Sequence, residues 1–469
     1  MSFDAFGDDV LLEILFFCDI STVLAVSAAR IHSHRINKSL RRLALWKQLW
    51  LSLVLDPRFR DTLELPPPDR EKFECLSTEA LIAIVKNAVA GPGSLWEESS
   101  YVTMTSFQIP LDYMEDSPEC HLLLGARYFL LHSRTQHTLC IYDVWSARHV
   151  WECPVQGRTL FQVDLVPGGA IARIFFVQTV DHFNTYMLHV EEVNLTTGES
   201  HEVFNFSIDR IVLGITLRPC AIVGDFLLAT LLLSSSVFVL INWRASTFVS
   251  FNGLSHVRLI PGYILSTHEV TFPPSARGHI LAATALEVFS DRWQPLTGDG
   301  TGLAAQVKAG SVSITFNSSN ITTWKGLEYS GRPIRSEMVS VARNALHAGA
   351  YDISLSGLQF LEPPPPPRRV TLMERIGNRI LSMAGTARRG KACPVLTQVT
   401  LAPAQAVLCY RFTPAVSAAG EACSLRLVSI RHVSHPSQAH CVRAIVGPSH
   451  SNSITVVYRE RKRTVADAS

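Results

Sequence analysis

Ten cysteines and seventeen histidines are the side chains of this 469-residue chain best suited to hold a metal or to act as nucleophile and base. Their spacing decides whether they do. The cysteines fall singly, with no Cys-x-x-Cys pair, which predicts reduced, buried thiols rather than zinc ligands or a disulfide frame. His32-Ser33-His34 has nothing nearby in sequence to complete a metal site. There is no glycine-rich phosphate loop, no His-Glu-x-x-His and no Gly-x-Ser-x-Gly. No acidic pair can be placed for general acid–base work. The expectation is a non-catalytic chain with no metal and no cofactor, which acts through its surfaces.

Composition narrows the partners. A net charge of +2 and a pI near 8.1 do not mark the chain for nucleic acid. The acidic start, Met1-Ser2-Phe3-Asp4-Ala5-Phe6-Gly7-Asp8-Asp9, is unlike a secretory signal, so a cytoplasmic or nuclear protein is expected. Sequons such as those at Asn194, Asn205, Asn317 and Asn320 then have no route to glycosylation. The apolar run from Phe226 to Ile241 falls short of the about 20 residues of a membrane helix and is broken by Ser234-Ser235-Ser236. No membrane span is expected.

The length predicts two or three domains. The first is helical. Asp8 and Asp9 suit a helix start, where free N–H groups and the positive dipole end favour acids. Val10, Leu11, Ile14, Leu15 and Cys18 follow at helical spacing, with Glu13 on another face. Asp19, Ser21 or Thr22 can cap a second helix through Val23, Leu24, Val26 and Ala29. Leu40, Leu43, Leu45, Leu49 and Trp50 form a third apolar run. A unit this small is marginal alone, which fits a module that completes its core against a partner.

The acidic cap, the Leu12-Glu13-Ile14-Leu15 core and the closing Leu49-Trp50 resemble an F-box, the module that docks a substrate receptor onto the Skp adaptor of a cullin–RING ubiquitin ligase. The order of this unit, Leu51-Ser52-Leu53-Val54, the Pro66-Pro67-Pro68 break and the helix opening Leu76-Ser77-Thr78-Glu79-Ala80-Leu81-Ile82 is similar to F-box proteins of mushroom-forming fungi. The resemblance implies adaptor-binding roles for Phe6, Val10, Leu11, Ile14, Leu15, Leu24, Val26 and Trp50. Two features depart from the family. Phe6-Gly7 stands where Leu-Pro is usual, and Arg30 to Ile36 reads as a seven-residue insertion.

Beyond about Ser106 the pattern changes to short strands and turns. The strands Leu139-Cys140-Ile141-Tyr142-Asp143, Val190-Glu191-Glu192-Val193-Asn194 and Val239-Leu240-Ile241-Asn242 each end at Asp or Asn. These ends lie 51 and 48 residues apart. Each unit has an apolar strand before it (Tyr128–Leu131, Ile174–Val177, Phe226–Ala229) and another after it (Val150-Trp151, Val203-Phe204, Phe248-Val249). Asp143, Asn194 and Asn242 are assigned as equivalent turn residues, because Asx side chains accept nearby backbone N–H bonds. A period of about 45–50 with three or four strands per unit predicts a β-propeller similar to WD-repeat blades. A β-sandwich is the alternative. Ile454 to Tyr458 is expected either to close the ring or to leave it open.

The expected architecture is therefore α + β: an F-box-like helical domain over 1–54, a helical and proline-containing linker over 55–105, a propeller-like domain over 106–460 and a tail over 461–469. A Pro-rich, basic insertion occupies 362–391. The resemblance implies a substrate-recognition subunit of a ubiquitin ligase. Its partners would be a Skp-type adaptor, through it the cullin–RING ligase, and an unidentified protein substrate. An interaction scaffold outside any ligase and a propeller hydrolase are the alternatives.

Overall fold

The structure is a computed structural model that describes residues 6–28, 38–90, 101–111, 118–156, 159–166, 169–180, 185–209, 216–232, 236–252, 254–272, 276–296, 303, 314–315, 321–329, 332–344, 346–359, 405–415, 422–433, 444–449 and 452–462. His32 to His34, the apparent insertion Arg30 to Ile36, Asn317, Asn320 and the whole 362–391 segment lie outside the described residues.

Helices come first: α1 (Asp8–Phe17), α2 (Ile20–Ala28), α3 (Lys38–Ala44), α4 (Lys47–Leu55), α5 (Pro57–Thr62), α6 (Arg70–Cys75) and α7 (Thr78–Ala90). Leu11 and Leu15 of α1, Val23 and Val26 of α2, Leu43 of α3, and Leu49, Trp50 and Val54 of α4 converge on one core. The Trp50 indole is fully buried, and its Nε1–H donates to the Ala44 carbonyl at 2.7 Å. That bond removes the penalty of burying the indole N–H. Asp19 caps α2, its Oδ1 accepting the Thr22 N–H at 2.7 Å. The start of α1 differs from the expected acidic cap. Gly7 is the N-cap residue, and Asp8 and Asp9 lie in the first turn, acting through the dipole.

The core does not end at residue 54. Phe59, Leu63, Leu81 and Val85 belong to the same cluster, so the helical part of the expected linker continues the first unit. Arg60 fixes the turn between α5 and α6. Its buried guanidinium donates to the Val54 carbonyl at 3.0 Å and, through two nitrogens, to the Pro66 carbonyl. These charge-assisted bonds compensate the burial.

The strands then fall into successive antiparallel sheets. β1 (Tyr101–Pro110) is followed by a first sheet of β2 (Glu119–Leu122), β3 (Tyr128–Ser133), β4 (Thr138–Asp143) and β5 (Arg148–Pro154). The second holds β6 (Leu160–Leu165), β7 (Ile171–Val180), β8 (Thr185–Asn194) and β9 (Ser200–Asp209). The third holds β10 (Thr216–Val223), β11 (Phe226–Leu232), β12 (Ser236–Asn242) and β13 (Thr247–Asn252). In the fourth are β14 (His256–Ile260), β15 (Tyr263–Phe272) and β16 (Ala276–Ala285). Next in the chain, β17 (Gln294–Pro295) and β18 (Ile314–Thr315) return to the edge of β13, and β19 (Thr323–Gly326) completes the fourth sheet. The fifth comprises β20 (Glu328–Tyr329), β21 (Arg332–Arg343), β22 (Tyr351–Gln359), β23 (Gln405–Thr413) and β24 (Ser424–Val433). Finally β25 (Ala444–Ser449) and β26 (Ser453–Lys462) form a sheet with β1.

Core clusters lie between successive sheets rather than between two large ones. Leu130, Leu139 and Ile141 meet Ile174 and Phe176. Phe175 and Leu188 meet Leu227 and Val239. Leu240 and Val249 meet Leu259 and Ile264, and Leu265 and Leu281 meet Ile353 and Leu408. Alternate residues of one strand therefore face different neighbours, which buries both faces and makes the strand an unbroken apolar run. The Phe226 to Ile241 run is such a case: β11 and β12 pair directly, from Phe226 with Asn242 to Leu232 with Ser236. No helix among the described residues is long and apolar enough to cross a membrane.

Side chains of one sheet also reach the backbone of another. Arg258 on β14 donates to the Val339 carbonyl on β21 at 3.0 Å, and Arg343 at the end of β21 reaches the Leu165 carbonyl on β6 at 3.5 Å. The ends of the strand region are joined. β26 pairs with β1 over ten residues, with Ile109 opposite Ile454 and Thr105 opposite Tyr458. Ile454 to Tyr458 thus supplies the closing strand, and Ile454, Val456 and Tyr458 pack with Phe129 and Leu131 of the first sheet. The architecture is α + β, with a β-propeller-like domain after the helices.

Candidate protein-docking site

α1 carries apolar residues on most of its sides, with Asp9 and Glu13 exposed on another, and only part of the apolar set is inside. Leu11 and Leu15 are buried, as are Val26 and Trp50 from the neighbouring helices. Phe6 (41 %), Val10 (47 %), Ile14 (36 %) and Phe17 (84 %) are exposed. Spacings of four and three residues place Val10, Ile14 and Phe17 along one side of the helix, and Phe6 stands just before its start. Leu24 is half-buried against the core. Of the eight residues given adaptor-binding roles, four are core residues and only Phe6, Val10 and Ile14 present open surface. Phe17, absent from that set, is the most exposed of the stripe. Its signal was its place one turn beyond Ile14. Three large apolar side chains on one side of a short helix, with Phe6 before its start, form the kind of patch that marks an interaction surface. Exposed Leu45 and Trp46, between α3 and α4, are further apolar surface on this unit.

The helical unit rests on one end of the strand domain. Asp61 of α5 lies against the β2–β3 and β6–β7 turns. Gly125 has φ +90°, and a Cβ there would sit 2.9 Å from the Asp61 Cβ, so the backbone approaches as only glycine allows. At the β21–β22 turn, the Ser21 N–H donates to the Leu346 carbonyl at 3.3 Å, and His347 Nδ1 lies 3.7 Å from Asp19 Oδ2. A cleft of about 610 Å³ runs along this junction, between α1, α4 and Leu346. Burial raises the Asp61 carboxyl to about 6 despite the Arg127 and Arg60 charges nearby, and its Oδ1 has no hydrogen-bond partner.

The three Asx positions each end the third strand of their sheet. Asp143 Oδ1 accepts the Trp145 N–H at 2.9 Å. Asn194 Oδ1 accepts from Thr196 at 2.9 Å and Thr197 at 3.2 Å, and Asn242 Oδ1 accepts from Ala245 at 3.0 Å. They hold turns. Asn344 does the same in the β21–β22 turn, accepting from Leu346 at 2.9 Å and His347 at 2.7 Å. It lies outside the repeat spacing, which hid it from sequence reading. Turns after the first and third strands of an antiparallel sheet share one end. The helical unit covers that end, and the opposite end faces away from it.

No family model and no curated protein sequence matches this chain. Solved structures similar to it include the Toxoplasma gondii coronin WD40 domain, at 9% identity and TM-score 0.31 over 80% of this chain and 90% of that one. The Myceliophteria thermophila Cps50 (Swd1) β-propeller domain is similar at 7% identity and TM-score 0.30 over 75% and 99%. The fission yeast SCAP WD40 domain follows at 10% and 0.23 over 73% and 84%. These likenesses are too distant to assign anything to this chain, whose architecture stands on its own sheet order and closing strand.

Proposed function

We propose that this chain is a substrate receptor of the F-box type. α1 docks on a Skp-type adaptor and so on a cullin–RING ligase, while the strand domain holds a protein substrate. The carrying observation is the exposed apolar set of Phe6, Val10, Ile14 and Phe17 at a helix that buries Leu11 and Leu15 in the core. Such a stripe gains about 25 cal/mol per Å² of apolar surface that a partner covers. Substrate binding is assigned to the end of the strand domain opposite the helices, because the Asx-turn end is occupied by them. The protein's contribution would be to bring a substrate lysine to a charged conjugating enzyme, a gain in proximity rather than bond making.

Copurification of the full chain with a Skp-type adaptor tests this. The double substitution Val10→Asp with Ile14→Asp should abolish capture while leaving the melting temperature unchanged, since both side chains already face water. Undiminished capture by the double variant overturns the F-box reading. Adaptor capture without the cullin would leave an F-box-derived scaffold rather than a ligase subunit.

A further inference from the structure

Sequence spacing argues against zinc ligands, yet the fold brings three potential ligands together. Cys140 on β4 and His149 and Glu152 on β5 place their ligating atoms within 4.8 Å of one another. Three residues apart, His149 and Glu152 would face opposite sides of a regular strand. A β-bulge changes this. Ile141 pairs with Trp151 but Tyr142 pairs with His149, so Val150 is extra and the alternation slips by one. His149 Nε2 then lies 3.9 Å from Glu152 Oε2, and Cys140 is directly opposite Glu152.

The same bulge recurs in two other sheets, which gives an internal control. In the second sheet the corresponding positions are His189, Glu202 and Asn205. There the groups satisfy one another: His189 Nδ1 is 2.9 Å from Glu202 Oε2, and Asn205 donates to Glu202 at 3.2 Å. In the fifth sheet the positions hold Leu408, Leu427 and Ile430. The fold therefore accepts a closed polar set or plain aliphatics here. Cys140, His149 and Glu152 are not dictated by the bulge.

We infer that Cys140, His149 and Glu152 form a binding site for a zinc-type divalent cation. Thiolate and imidazole suit zinc, and a carboxylate completes a three-ligand set of the kind that leaves a fourth position open. The set lines a cavity of about 670 Å³ that also reaches Leu131, Tyr142 and Pro110, so the open position faces space enough for water. Tetrahedral zinc holds its ligand atoms about 3.3–3.6 Å apart. His149 and Glu152 are exposed and can close the remaining gap by turning their side chains. Binding transfers the Cys140 thiol proton to solvent and puts the thiolate on the metal. Without a cation that thiol stays protonated: burial and the nearby Glu152 push it up to about 11.

The test uses the purified full chain, stripped with chelator and titrated with Co²⁺ as a spectroscopic substitute, then with Zn²⁺ in competition. One equivalent should bind and produce a sulfur-to-cobalt charge-transfer band. His149→Ala and Glu152→Gln, both at exposed positions, should fold normally and weaken binding by more than the about 10–100-fold typical of outer-shell partners. Cys140→Ser should lose the band, whereas His189→Ala should bind like the parent. No stoichiometric uptake by the parent overturns the site. So does an unchanged band in Cys140→Ser, which would place the metal on other thiols.

Discussion

In the strand domain, Leu130 packs toward the second sheet and its neighbour Leu131 toward β26, so consecutive side chains are both inside. In α1, Leu11 and Leu15 are inside while Val10 and Ile14, one position before each, face water. The two regions spend similar residues differently. The strand domain closes on itself by pairing β26 with β1, whereas the helical unit completes its core and still leaves a stripe uncovered. A stripe beside a finished core is apolar surface that the fold itself leaves unused.

Removing residues 453–462 attacks the closed region and should have the largest effect. It strips β1 and β25 of their partner and takes Ile454, Val456 and Tyr458 out of the core. Losing large buried side chains costs about 2–5 kcal/mol each, and the total is comparable with the whole stability of a domain, about 5–15 kcal/mol. The strand domain should fail to melt cooperatively. If the shortened and full chains melt at the same temperature, β26 does not close the ring.

The next largest effect separates the two sides of the helical unit. Trp50→Ala should destabilise that unit by about 3–5 kcal/mol, read from loss of helical circular dichroism in denaturant. Phe17→Ala, at the most exposed position of the stripe, should stay within about 0.5 kcal/mol of the parent. Equal costs would mean that the stripe is part of the fold and not surplus to it.

A smaller, pH-dependent effect belongs to the seam between the regions. Burial raises Asp61 from its ordinary 3.8 to about 6. A raised folded value means that the folded state holds the proton more tightly. Its stabilising contribution is full below about pH 4 and is lost as pH rises through about 6. Asp61→Asn should therefore match the parent in acid and be the more stable protein at pH 7. Parallel melting curves for the two proteins from pH 4.5 to 7.5 would show that the Asp61 carboxylate is solvated rather than pressed against Gly125.

How much of this was legible varies with the physics. The strands of the first three sheets were readable because both faces are buried, which writes them as apolar runs ending at Asp143, Asn194 and Asn242. The closing strand was readable as one of two outcomes. The inside and outside of α1 were not separable, because Val10, Leu11, Ile14, Leu15, Phe16 and Phe17 are all apolar and the helical period marks faces without saying which is covered. The continuation of the helical core through Leu81 and Val85 was hidden by the proline break, which Arg60 bridges by holding the Pro66 carbonyl. β17 and β18 were too short to detect. The Cys140, His149 and Glu152 set was invisible for a specific reason: a bulge at Val150 reverses the facing of everything beyond it, and the bulge leaves no mark in composition.

The smallest effect concerns the place where the family pattern has proline. Gly7 is the N-cap of α1, with φ −66° and ψ 157°. That φ is the value a proline ring imposes, about −65°. Nothing lies within 4 Å of where a Cβ on Gly7 would sit. The Gly7 carbonyl, which proline retains, accepts the Leu11 N–H at 3.2 Å. Gly7→Pro should thus meet no clash and should restrict the unfolded chain, stabilising the helical unit by about 0.4–1 kcal/mol. Proline also asks the preceding residue to be extended, which would hold Phe6 in one direction beside Val10. Adaptor capture should therefore be kept or strengthened. A loss of stability instead would mean that the chain at Phe6 cannot take the extended form, and that Phe6 and Gly7 do not occupy the places of Leu-Pro in the F-box pattern.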